Sequence, residues 1–137
     1  MHVRSLILTA FLALALGGCS LTQKNPTTPK AAGGAKALGQ VISNLSKDAS
    51  GNNPSDICQH ILASSLVARL NSIGKCSTII GNQLNTAESF TLTPTKTGVS
   101  GNTATAIVQS VDNGKNRLYT VHFVKQAGTW KITGLNG

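Results

Sequence analysis

The spacing of the hydrophobic residues changes once along the chain, near Glu88, and this change constrains the fold more than any other feature. Upstream of it, apolar residues recur every three or four positions, as between Leu38 and Leu45, which is the spacing of one helix face. Downstream, Phe90 and Leu92 begin a pattern in which apolar and polar residues alternate, as in strands. Helices followed by strands predict an α+β domain in which the helices pack on one face of a sheet.

The helical part of the pattern divides into three segments. The first covers residues 36–47 and ends before a segment rich in Gly, Asn and Pro. Ser55 is a candidate N-cap for a second helix over residues 56–70, which Gly74 brings to an end. A third, shorter helix is predicted over residues 76–86, although Gly81 lowers its helix propensity by about 1 kcal/mol relative to Ala. We therefore expect three N-terminal helices.

The alternating part divides into four short segments separated by turn signals. Turn-forming residues occur at 100–102, 112–114 and 127–128. Short alternating segments joined by such turns predict consecutive antiparallel strands. The expected strands begin near Phe90 and then cover residues 103–111, 117–125 and 129–135.

The N-terminus carries a pattern typical of export. A basic start is followed by the uncharged apolar run Leu6–Leu16, which is shorter than the roughly 20 residues that span a bilayer. These features predict a signal peptide over residues 1–18. The sequence Leu16-Gly17-Gly18-Cys19 resembles the bacterial lipobox. That resemblance implies a lipoprotein in which Cys19 carries diacylglycerol and fatty acid (palmitate) and becomes the first mature residue. The alternatives are an ordinary cleavage site beside a chance cysteine and an uncleaved anchor helix.

Residues 19–35 combine prolines, Ser/Thr and a Gly pair without apolar periodicity, which favours a flexible tether. The domain would then cover residues 36–137. This organisation predicts a protein held at the cell membrane on its extracytoplasmic side, or at the outer membrane in a diderm organism.

The cysteine count fits this assignment. The chain has three cysteines, and an odd number in an exported protein leaves one thiol to explain. Lipidation accounts for Cys19, so Cys58 and Cys76 remain as a pair in an oxidising compartment, where we expect a disulfide. No Cys-x-x-Cys spacing and no Cys/His ligand spacing is present, so no metal site is predicted.

The order of these segments resembles the nuclear transport factor 2-like fold, including its small exported versions in actinobacteria. That fold is a cone in which a curved antiparallel sheet wraps around helices, here with three helices and four strands. A cystatin-like helix on a sheet is the alternative. The residues that carry the resemblance are Cys58-Gln59-His60-Ile61-Leu62, Cys76, Gly101-Asn102-Thr103-Ala104-Thr105-Ala106, Val121-His122-Phe123-Val124 and Gly128-Thr129-Trp130-Lys131-Ile132.

The resemblance does not by itself assign a function, because this fold supports isomerases, cyclases, dehydratases and plain binding proteins. Its enzymes place an Asp or Glu base, or a His–Asp pair, inside the cone. The four acidic residues here are predicted at helix ends, at the helix-to-strand junction and in a turn. They are Asp48, Asp56, Glu88 and Asp112. We therefore expect no catalytic residues and no cofactor.

A hollow cone would have a recognisable lining. Tyr119, Val121 and Phe123 share one face of the third strand, and Phe90, Trp130 and Ile132 would join them. The same residues could instead fill a packed core, whereas His122 on the opposite face would meet solvent or a partner. An apolar ligand carrier is therefore our second hypothesis, and an isomerase or cyclase the third.

The charge indicates the kind of partner. The formal net charge is +8, but the basic residues form no run and are not interleaved with aromatics, so nucleic acid is not expected. Spread positive charge at a membrane favours anionic lipid or wall polymers. Our first hypothesis is a non-enzymatic lipoprotein whose domain binds such a surface or an envelope protein.

Overall fold

The computed structural model describes residues 29–87, 90–112 and 114–137, with helices up to Thr86 and strands from Leu92. It is an α+β structure in which four antiparallel strands form one sheet. The predictions for the signal peptide, Cys19 and the first part of the tether fall on residues outside this description, as does Glu88. No helix in the described ranges is long and apolar enough to cross a membrane.

The first helix is longer than predicted. α1 spans Pro29–Ser50, so residues 29–35, which the sequence assigned to the tether, are helical. Proline is favoured at the first position of a helix because its fixed φ fits and its missing N–H would have no partner there. From Leu38 onward the helix buries an apolar stripe against the sheet. Its most buried members are Leu38, Ile42 and Ala49.

The predicted continuous helix over residues 56–70 is wrong. The short α2 (Pro54–Asp56) continues into a π-helical turn (Ile57–Ile61). The chain is extended at Leu62 and Ala63, and α3 then begins and spans Ser64–Ile73. The break has a tertiary cause, because Ala63 N–H donates to the carbonyl oxygen of Ile132 over 2.8 Å.

The third predicted helix is confirmed as α4, Cys76–Thr86. The predicted disulfide is also present and joins Cys58 in the π-helical turn to Cys76, with the Cα atoms 6.3 Å apart. Cys76 N–H donates to Oδ1 of Asn71 over 2.9 Å. The disulfide therefore connects the two helical segments on either side of α3.

The predicted four-strand meander is confirmed, with the strands in the order β1-β2-β3-β4. Each turn uses residues with positive φ, which glycine adopts without strain. Gly101, Gly114 and Gly128 have this conformation, and so does Ala127. The strands are β1 Leu92–Ser100, β2 Thr103–Asp112, β3 Lys115–Gln126 and β4 Thr129–Asn136.

Two irregularities in strand pairing shape the sheet. The register shifts between Pro94 and Lys96 on β1, and again where His122 pairs with Gly134 but Phe123 pairs with Ile132. Such bulges bend a strand and increase its twist, as a cone requires. The inner face packs against α1 and the π-helical turn to form the core. Its buried residues on β2, β3 and β4 are Ala104, Ala106, Val108, Ser110, Val121, Phe123, Trp130 and Ile132.

Candidate functional site

The six residues predicted to line a cavity lie on the inner side of the domain. Four of them, Val121, Phe123, Trp130 and Ile132, are at most 6% exposed. A water-filled void would add accessible surface to its walls, so such low exposure places these side chains in a packed core. Tyr119 and Phe90 are half-buried and pack against that core from its margin. These four buried residues therefore fit the alternative of a packed core rather than the lining of a cavity.

Two of the acidic residues lie on helices rather than on the sheet. Asp48 is half-buried in the last turn of α1, and Asp56 is exposed at the end of α2. The prediction that Asp112 lies in a turn is wrong, because Asp112 is the last residue of β2, two positions after the buried Ser110 and at the margin of the sheet. Within the described ranges, no three His, Cys, Asp or Glu side chains gather in a group that could hold a metal ion.

A solvent-exposed groove lies between α3 and β4, and we call it the α3–β4 cleft. It has a volume of about 540 Å³ and is open to solvent. Ile73 is 79% exposed and Leu135 is 47% exposed, although both are large apolar side chains. Its lining residues are Leu66, Arg69, Leu70, Ile73, His122, Thr133, Gly134, Leu135 and Asn136.

Hydrogen bonds from the sheet fix the position of α3. Ala63, which precedes the helix, has no side chain that could cap it, but Gln126 on β3 supplies the cap. Ser64 N–H donates to Oε1 of Gln126 over 3.1 Å, and Nε2 of Gln126 donates to Oγ of Ser64 over 2.8 Å. Capping oxygens of this kind satisfy helix N–H groups that otherwise lack a partner. The start of α3 is therefore held at the end of β3.

A second contact lies inside the cleft. Nη2 of Arg69 donates to the carbonyl oxygen of Thr133 over 3.0 Å. Thr133 is the extra residue of the β4 bulge, and a bulged residue lacks a ladder partner. Arg69 thus joins α3 to the irregular point of β4, and it is the sole lysine or arginine among the residues that line the cleft.

Beyond Thr133 the outer edge of β4 is open. β4 is a terminal strand of the sheet. Among the described residues, hydrogen bonds to this edge come from Ala63 and Arg69, and both reach the bulge rather than the segment 134–136. Unpaired N–H and C=O groups on an edge strand can bind another extended chain. The cleft therefore has a backbone recognition surface along one wall.

His122 lies where the cleft meets the outer face of the sheet, as predicted for a residue opposite Phe123. The side-chain amide of Asn136 donates to Nε2 of His122 over 3.1 Å. A shallow trough of about 510 Å³ continues from His122 across the outer face toward Gly98. His60, in contrast, is exposed on the π-helical turn, and its carbonyl oxygen accepts a hydrogen bond from Nζ of Lys131.

The sequence contains one pattern that points to the cleft. The helix predicted over residues 56–70 ends too early to include it. Leu66, Leu70 and Ile73 are spaced four and three apart, so the apolar stripe of the helix continues beyond residue 70. A stripe longer than the core requires indicates a second apolar contact surface. The pairing of Ile73 with Leu135 was not visible in the sequence, because it depends on how α3 packs beside β4.

Comparison with solved structures identifies the architecture. A designed nuclear transport factor 2-like protein, a substituted variant of Rd1NTF2_05, superposes with a TM-score of 0.54 and 13% sequence identity. The match covers 75% of this chain and 97% of the designed chain. The fold is nuclear transport factor 2-like. This likeness concerns the fold alone. No protein-family model and no curated protein matches the chain.

Proposed function

We propose that this chain is a non-enzymatic, lipid-anchored protein of the cell envelope. Its nuclear transport factor 2-like domain would bind an extended segment of an envelope protein in the α3–β4 cleft. The lipobox-like sequence Leu16–Cys19 supports the anchor. The disulfide between Cys58 and Cys76 supports export, because such bonds persist in oxidising compartments.

The observation that carries the proposal is the position of Ile73 and Leu135 beside the open edge of β4. Scattered exposed apolar residues are common on protein surfaces. Here, however, two of them line the same cleft, next to backbone groups that can pair with a strand. An extended segment could satisfy those groups and bury apolar side chains in the same binding event.

Charge narrows the partner further. A guanidinium group has five N–H donors in a fixed fork, and the described contact of Arg69 with Thr133 uses Nη2. The remaining donors fit a carboxylate, which arginine binds strongly when two donors engage it. Removal of residues 1–18, which include Arg4, would change the formal net charge from +8 to +7, and this positive charge acts in the same direction. The expected segment is apolar and carries an acidic residue.

Site-specific photo-crosslinking in cells that make the full chain tests this proposal. A photoreactive residue at position 73 should give a discrete adduct with a polypeptide, and Leu135→Asp should reduce that adduct severalfold. Leu118 is the matched control, because it is 60% exposed but lies outside the cleft lining. Equal adducts from positions 73 and 118, or no loss with Leu135→Asp, would contradict the assignment of the cleft.

A further inference from the structure

The first turns of α1 lie at one end of the sheet. A Cβ atom added to Gly34 would be 3.1 Å from Cγ2 of Val99, near the end of β1. At the other end of α1, Oγ of Ser46 accepts a hydrogen bond from Leu92 N–H over 3.3 Å. α1 therefore runs antiparallel to β1, and the chain enters the domain beside the β1–β2 turn.

The β3–β4 turn lies at the same end, because alternate turns of an antiparallel meander share an end of the sheet. Lys125 N–H donates to the carbonyl oxygen of Asn102 over 2.8 Å, which joins the two turns directly. We call this end the anchor pole. It comprises residues 34–37 of α1 and the turn regions 99–103 and 125–130.

Charge is distributed unevenly between this pole and the opposite end. Lys36 and Lys125 are exposed at the anchor pole, and no acidic residue belongs to its three segments. Asp48 lies about 20 Å further along α1, at the rise of a helix. Asp112 ends β2 at the opposite end of the sheet, where it accompanies basic residues on the neighbouring elements. Those basic residues are Lys47, Lys115 and Arg117.

The sequence that precedes residue 34 carries further positive charge. Lys24 and Lys30 precede residue 34, and no acidic residue occurs between Cys19 and Lys47. Residues 20–28 could reach at most about 30 Å when fully extended. A lipid on Cys19 would therefore allow the anchor pole to approach within the roughly 8 Å over which surface charge acts at physiological ionic strength.

We propose that the anchor pole docks on anionic phospholipid headgroups through Lys36 and Lys125. This inference rests on the proposed lipid anchor and names a lipid partner in addition to the partner in the cleft. Docking orients the domain, because β4 runs away from the pole and places Leu135 about 20 Å from it, at the rise of a strand. The apolar end of the α3–β4 cleft then stays clear of the lipid and open to a protein partner.

The chain contains its own probe of this orientation. Trp130 is the single tryptophan in the sequence, and Nζ of Lys125 lies 5.7 Å from the centre of its ring. The lipidated full chain is reconstituted in phosphatidylcholine vesicles containing a lipid with a dansyl-labelled headgroup, with or without phosphatidylglycerol. Energy transfer from Trp130 to dansyl needs no contact with the buried ring and is measured against the same protein in unlabelled vesicles. It should be strong with phosphatidylglycerol, and weaker either without phosphatidylglycerol or at high salt.

Two charge-matched variants give the decisive comparison. Lys36→Gln with Lys125→Gln should lower the ratio of docked to undocked protein by about fivefold for each lysine, the usual effect of a Lys near an anionic surface. Lys47→Gln with Lys115→Gln changes the net charge equally at the opposite end of the domain and should leave the energy transfer unchanged. Equal losses in both variants, or no dependence on phosphatidylglycerol, would overturn the proposal. Flotation with phosphatidylcholine vesicles alone scores the lipid anchor separately, since a chain without lipid would not float.

Discussion

At the scale of single residues, burial separates core side chains from candidate binding side chains of the same type. Ile132 is 3% exposed and lies on the inner face of the sheet, whereas Ile73 is 79% exposed in the α3–β4 cleft. The sequence placed Ile132 on an alternating strand, but it left open whether that face bounds a ligand cavity or a packed core. Its exposure in the folded chain favours the packed core.

This contrast predicts the outcome of one matched pair of substitutions. Ile132→Val should lower the free energy of unfolding by about 1 kcal/mol, because the lost methylene leaves a void that the core cannot fill. Ile73→Val should change it by less than about 0.5 kcal/mol, as is usual for surface positions. Urea denaturation measures both. If Ile132→Val lowered the free energy of unfolding as little as Ile73→Val does, this result would indicate that Ile132 borders open space.

At the scale of elements, the sequence predicted those whose cause is local. The four strands follow from alternation and from turn residues such as Gly101 and Gly128. α4 and the disulfide followed in the same way, from apolar spacing and from the cysteine count. Even the early start of α1 had a local signal in Pro29, which we interpreted as part of the tether.

The elements that were missed depend on contacts distant in sequence. The helix predicted over residues 56–70 breaks because Ala63 donates a hydrogen bond to Ile132, and no Gly or Pro marks that point. The cap of α3 comes from Gln126, which is 62 residues away from Ser64. The cleft is missed for the same reason, since its two walls come from α3 and β4.

The disulfide stabilises the arrangement of the helical elements, because it joins the π-helical turn to α4, on either side of α3. The double variant Cys58→Ala/Cys76→Ala should lose about 3 kcal/mol of stability, as expected for a loop of this size. Substituting both cysteines avoids a free thiol.

The midpoints of urea unfolding, measured for the native chain with and without reductant, provide the comparison. Reductant should lower the midpoint of the native chain but not that of the double variant. A midpoint that reductant leaves unchanged in the native chain would show that the bond contributes nothing.

At the scale of the whole molecule, the basic pole without acidic residues and the apolar end of the cleft lie at different ends of one domain. The anchor pole carries Lys36 and Lys125, while the apolar end of the cleft at Ile73 and Leu135 lies toward the opposite end. In the proposed arrangement, the lipid and the basic pole hold the domain on the membrane, and the cleft faces away from it. The fold alone does not require this arrangement, because proteins with this fold have many functions.

The central claim is that the chain is exported and anchored through a lipid on Cys19. Mass spectrometry of the N-terminal peptide of the protein, purified from membranes of cells that produce it, tests this claim most directly. We predict a peptide that begins at Cys19 and carries diacylglycerol on its sulfur. A mature N-terminus at another residue, or an unmodified Cys19, would contradict the claim.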